Sequence, residues 1–142
     1  MRIALDQSRA AMHPRSMLIY KIFRAPEWAD LQAAGETAGA PIDLEDGYIH
    51  FSTAPQAAET AAKHFAGAEG LVLAAIKADT LGDALVWEPS RGGQLFPHLY
   101  RRLSLSEVLW HADLPLIDGL HRFPESVTAD AAADNASDGA AS

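Results

Sequence analysis

The chain of 142 residues contains no cysteine. That excludes disulfides and thiolate chemistry and leaves only histidine and carboxylates for a zinc site. Long apolar runs are also missing. The longest, Leu71 to Ile76, has the length of a strand and falls far short of a bilayer span. The N-terminus lacks the apolar stretch of a secretory signal, so a cytoplasmic protein is the expectation. Basic residues are few, 11 Lys and Arg against 19 Asp and Glu, for a net charge of −8. This balance argues against general nucleic-acid binding through a basic face. Lys21, Lys63, Lys77, Arg91, Arg101 and Arg102 remain to build a local basic pocket. No Gly-x-Ser-x-Gly elbow occurs, which with the missing cysteine sets nucleophilic hydrolysis aside. No His-x-His or His-x-x-x-His spacing occurs either. A two-histidine, one-carboxylate metal set from His50, His98 and Glu88 would need three separate segments to converge, so no metal is expected.

What the chain does have is a pair of histidine-bearing segments, Gly47 to Thr53 and Phe96 to Tyr100. In a strand, side chains alternate between faces. Tyr48, His50 and Ser52 then share one face, with Ile49 and Phe51 opposite. Phe96, His98 and Tyr100 line up in the second segment, opposite Leu99. Two strands with a histidine and hydroxyls on one side and apolar anchors behind resemble the walls of a ligand cleft.

Punctuation along the chain is regular. Residues 1–16 show no periodicity and are expected to form a flexible leader. Leu18 to Phe23 reads as the first strand. Pro26 opens a helix that Gly35 closes. Gly39 to Gly47 reads as a loop carrying Asp43, Glu45 and Asp46. Thr53 followed by Gln56 is a capping-box pattern for a second helix through Phe65. Strands follow at Leu71 to Lys77, Ala84 to Glu88 and around Val108 to His111. A Gly-rich turn, Pro89 to Gly93, intervenes. Residues 126–142 hold no large apolar residue but Val127 and are expected to be disordered. The folded unit is therefore a single α+β domain over 17–125, with a mixed, largely antiparallel sheet and two early helices.

In order, Ile19-Tyr20-Lys21-Ile22, Ala25-Pro26-Glu27-Trp28, Gly47 to Thr53, Trp87-Glu88-Pro89 and Phe96 to Tyr100 resemble a bacterial family of domains of unknown function, the one numbered nine hundred and fifty-two. The resemblance spans roughly residues 17–125. That family is similar in fold to the ADP-ribosyltransferase superfamily. The resemblance implies a split β-sheet and a cleft sized for NAD or an ADP-ribose-like ligand. It places Lys21 where those transferases carry a ribose-contacting residue, His50 with Ser52 and Thr53 at a strand entering a capped helix, and Glu88 or Glu107 as the ribose-polarising acid. Lys21, Glu88 and Glu107 depart from the family pattern or match it loosely.

The expected function is binding of a nucleotide or phosphorylated nucleotide-like small molecule, with ADP-ribosyl or phosphoryl transfer as the reaction class. His50 or His98 would carry the proton, and Glu88 would orient a histidine or a ribose. Lys21 and Arg91 would contact phosphate, with Ser52, Thr53 and Tyr100 completing the lining. The helix start after Thr53 would add unpaired N–H groups. The competing class is a non-catalytic ligand sensor or protein-interaction domain.

Overall fold

A computed structural model describes residues 17–132. The leader expected over 1–16 and the last ten residues of the expected tail lie outside the described residues.

Strand β1 (Leu18–Phe23) is the apolar, β-branched and aromatic run Leu-Ile-Tyr-Lys-Ile-Phe, with five of its six residues buried. Helix α1 (Ala25–Ala34) follows, with Pro26 in its first turn. The Arg24 N–H donates to the Glu27 carboxylate, and Gly35 ends the helix at φ 82°. After the short strand β2 (Glu36–Thr37) comes helix α2 (Pro41–Asp46). This corrects the expected loop over 39–47 and raises the early helices from two to three. Its signals match those of α1: Pro41 in the first turn, Asp43 accepting the Ala40 N–H, and Gly47 at φ 89°. Six residues are too few to display a helical period, so the sequence reads as a loop.

Strand β3 (Ile49–His50) leads through Ser52 into helix α3 (Ala54–His64). The Thr53 N–H donates to the Gln56 side-chain oxygen, the half of the capping box that Gln supplies. Strand β4 (Leu71–Lys77) and a 3-10 stretch (Ala78–Ala84) lead to β5 (Leu85–Pro89), the 3-10 turn Arg91–Gly93 and β6 (Leu95–Leu99). Strands β7 (Leu103–Ser104), β8 (Val108–Leu114), β9 (Leu116–Ile117) and β10 (Leu120–His121) complete the strand set.

Two three-stranded sheets dominate, ordered β1-β4-β8 and β3-β6-β5. Their ladders are antiparallel, so the mixed character expected of the sheet is absent among these pairings. The sheets join where Tyr20 and Ser52 exchange backbone hydrogen bonds of 2.8 and 2.9 Å. The alternation of β1 divides the interior. Ile19 and Phe23 pack with Trp28 and Leu31 of α1 and with Ile49, Phe51 and Leu99. Tyr20 and Ile22 pack on the other side with Ala54 and Ala61 of α3, Leu73 and Leu114.

Val127 belongs to that second cluster and is buried, because residues 125–132 are helical. Asp130 accepts a hydrogen bond of 2.8 Å from the Tyr20 hydroxyl. The disordered tail therefore does not begin at 126. Val127, with Ala131 packed beside the same cluster, and the Asp130 contact anchor a segment whose composition alone would not order it. Among the described residues no helix is long and apolar enough to cross a membrane.

Candidate functional site

A cleft of about 630 Å³ opens where β1, α2, β3, α3 and β6 meet. Ile22, Phe51, Phe65 and Phe96 supply apolar walls, and Lys21, Asp43, Asp46, His50 and His98 gather among its polar lining. Arg24 and His64 are exposed residues of the same lining. A volume of this size suits a small-molecule ligand.

His50 and His98 are direct partners in the antiparallel β3–β6 register, so the pleat aims both rings to the same side. Their ring centroids lie 5.3 Å apart. The single-cleft expectation for the two histidines is met, since both line this cavity.

His98 is buried, and its Nδ1 sits 2.7 Å from Glu88 Oε1. Val86 is the cross-strand partner of His98, and Glu88 lies two residues further along β5. That diagonal is within reach of long side chains. The same carboxylate oxygen accepts a hydrogen bond of 2.8 Å from the Tyr100 hydroxyl. The hydrogen bond with His98, followed by that with Tyr100, lowers the Glu88 pKa. The reciprocal effect pushes Tyr100 up to about 12. Tyr48 stacks on the His98 ring at 4.1 Å and stands 4.7 Å from His50 and 5.2 Å from Tyr100. Partial burial raises the Tyr48 pKa, with Asp46 and Glu88 adding to the effect. With Nδ1 donating to Glu88, His98 Nε2 is the acceptor of the neutral ring and has no partner among the described residues.

His50 is held differently. Its Nδ1 lies 2.6 Å from Asp43 Oδ1 and its Nε2 lies 3.0 Å from Asp46 Oδ2. Asp43 also accepts hydrogen bonds from the backbone N–H groups of Ala40 and His50, and its Oδ2 meets Lys21 Nζ at 2.9 Å. Burial pushes the Asp43 pKa up. The His50 hydrogen bond and the Lys21 charge outweigh it, and the carboxyl is brought down to about 2. Gly39 makes room for this, because a Cβ there would run into the Asp43 side chain.

The remaining candidates divide. Ser52 lines the cleft, with its hydroxyl 2.9 Å from that of Thr60. Thr53 starts α3 outside the lining. Tyr100 faces a second, shallower cavity of about 250 Å³ with Tyr48, Arg101 and Arg102. Glu88 lies outside the lining of both cavities and reaches the cleft through His98. Glu107 is spent on the Arg101 guanidinium, 2.8 Å away, and on the Ser104 N–H. Arg91 lies in the turn after β5, and its side chain is outside the described residues. Lys21 is buried, and its ammonium is taken by Asp43 and the His50 carbonyl. Among the described residues no three His, Asp or Glu side chains are grouped to hold a metal.

Sequence reasoning missed Asp43 and Asp46, although their segment stood out as acidic. The usable signal was Pro41 and Gly47 bracketing an acid at the third helical position. Tyr48, placed on one strand face with His50, turns out to stack on the His98 ring.

Fold and site together define a small α+β protein with paired antiparallel sheets and a histidine-carboxylate cleft. The model of the family described as "Protein of unknown function (DUF952)" matches residues 22–111, and the chain belongs to that family. It is similar to the crystal structure of CC0527 from Caulobacter crescentus, with 50% identity and a TM-score of 0.75 over 78% of this chain and 98% of that one. The solution structure of CC0527 gives 51% identity and a TM-score of 0.69, covering 77% and 95%. A comparison with curated proteins gives no match.

Proposed function

We propose that the cleft binds a nucleotide or a phosphorylated nucleotide-like small molecule, and that His98 is its proton carrier. The observation that supports this most is the His98–Glu88 pair at the cleft wall. A carboxylate on Nδ1 fixes the tautomer and leaves Nε2 as a base, the arrangement general base catalysis requires. The apolar walls suit a base ring, and the histidine end suits ribose hydroxyls. The division of the fold into two small antiparallel sheets supports the likeness to ADP-ribosyltransferase-type folds, so NAD and ADP-ribose head the candidates. The fitting reaction class is ADP-ribosyl or phosphoryl transfer to an acceptor hydroxyl. The acceptor oxygen bonds to the ribosyl carbon or the phosphorus as the leaving group departs, and its proton passes to Nε2. Glu88 acts through His98 as a positioning residue. Lys21 is withdrawn as a direct phosphate contact, because Asp43 already neutralises it.

Titration calorimetry and melting with NAD, ADP-ribose, AMP and adenosine test the binding. A dissociation constant in the micromolar to low millimolar range for at least one is expected. His98→Ala should abolish turnover, while His98→Gln retains binding through its amide. Binding without turnover in the wild type would favour a ligand sensor. Absence of binding by all four compounds at millimolar concentration would favour an interaction domain, for which exposed Ile42 and Leu44 on α2 offer a surface.

A further inference from the structure

We infer that His50 is the centre of an oxyanion subsite within the cleft, and that the Asp46 carboxylate stands in it as an internal substitute for a ligand's anionic group. The inference rests on the reading of the cleft as a ligand site, and names the group that its His50 end receives.

The charge count is the starting point. Lys21 Nζ and His50 Nδ1 both converge on the fully buried Asp43 carboxylate, at 2.9 and 2.6 Å. Each ring nitrogen of His50 faces a carboxylate oxygen, Nδ1 in a hydrogen bond with Asp43 and Nε2 at ion-pair distance from Asp46. With His50 in its charged form, Lys21, Asp43 and His50 sum to one excess positive charge at the cavity wall. Asp46 balances it. A charge held a third exposed in a cleft is stabilised by a nearby anion, which either the chain or a ligand can supply.

Asp46 is the exchangeable member. Its side chain is 37% exposed, against 0% for Asp43. The ion pair with His50 is the one that its side chain makes among the described residues. It is also the last residue of α2, whose final turn carries no basic residue. Unpaired carbonyls give a helix C-terminus partial negative charge, which disfavours a carboxylate there. Asp46 therefore reaches His50 from a position its own helix opposes, with Gly47 in the left-handed conformation immediately after it. Both Asp46 and His50 line the cleft, so a phosphate or carboxylate entering it meets His50 Nε2 by displacing Asp46. The phosphate contact first sought at Lys21 thus falls to the histidine that Lys21 and Asp43 support.

The test uses inorganic phosphate and, separately, acetate, titrated into the full chain while the His50 imidazole resonances are followed by NMR. Asp46→Asn and Asp46→Ser should bind phosphate about tenfold more tightly than the wild type, as expected for one charge-assisted contact freed from competition. Asp113→Asn, an exposed acid on β8, removes the same charge elsewhere and should bind as the wild type does. Acetate in the same series tells whether a planar carboxylate suffices or a phosphate is required. Unchanged phosphate affinity in both Asp46 variants, or shifts that map away from His50, would overturn the inference. Loss of folding in both would overturn it too, since an exchangeable carboxylate cannot be required for the fold. Adenosine, which carries no anion, should bind every form alike. Its failure, with that of NAD, counts against the nucleotide reading and leaves the phosphate arm to decide the subsite.

Discussion

His50 and His98 are cross-strand partners on one ladder, yet their surroundings differ in kind. His50 stands in a chain of charges, Lys21–Asp43–His50–Asp46, with both ring nitrogens engaged. His98 has one carboxylate on one nitrogen, a tyrosine ring stacked on its face, and a second nitrogen open for chemistry. The first environment stores electrostatic stability, and the second holds a group ready to exchange a proton. A buried ionic network is costly to break but contributes little chemistry while it is closed. A stacked, singly hydrogen-bonded imidazole costs less to disturb and does more. The site thus separates scaffold from reagent along one pair of strands.

The sharpest way to break this comparison is Asp43→Ala. It strands the Lys21 ammonium and the His50 ring beside each other without their shared anion. A loss of about 3–5 kcal/mol is expected, or a fall in Tm of about 10 °C, read by denaturant and thermal unfolding. A loss below 1 kcal/mol would mean that the network is no scaffold.

Acid should act on the same residue with a smaller effect. The folded-state pKa of Asp43 is about 2 against 3.8 for the ordinary group, so the unfolded chain takes the proton first as pH falls. The contribution is complete above about pH 4 and disappears as pH drops towards 2, amounting to about 2 kcal/mol. Urea midpoints of wild type and Asp43→Asn across that window should converge. Parallel curves would show that the stabilisation comes from elsewhere.

Lys21→Met sharpens the comparison further. Asp43 keeps its hydrogen bonds from Ala40 and His50, and the methionine fills the space of the lysine stem. About 1–2 kcal/mol should be lost, with ligand binding in the cleft largely preserved. A strong loss of nucleotide affinity without a stability change would return Lys21 to the role of ligand contact.

The smallest effect lies at the His98 end. Glu88→Gln should leave folding almost unchanged while the Tyr100 titration, raised to about 12 by the carboxylate, falls back towards its ordinary value. Ultraviolet difference titration in a background with both Tyr20→Phe and Tyr48→Phe isolates that tyrosine. An unmoved titration would separate Tyr100 from the His98–Glu88 pair.

Local signals were legible wherever one segment decided its own structure. The Leu18 to Phe23 strand, the Pro26-to-Gly35 and Thr53-led helices, and the strand at Leu71 to Lys77 follow from apolar content, caps and turn residues. Alternation within two short segments also put His50 and His98 on one side of their strands. The α2 segment escaped because one and a half turns leave no periodic trace, and residues 125–132 escaped because their order depends on Tyr20 and a distant apolar cluster.

The sequence by itself determined an α+β domain with largely antiparallel strands, the bounds of the Pro26-to-Gly35 and Thr53-led helices, and a histidine pair facing one way, because these depend on period, capping and pleat within a few residues. Tertiary structure alone decided which charges those histidines meet. Lys21 reaches Asp43 across 22 positions and Glu88 reaches His98 across a hairpin, so the pairings depend on where the strands are stacked. It also turned Lys21 from a presumed ligand contact into a buried structural cation. A cation's role depends on whether an anion is already beside it, and only the folded chain brings that anion there.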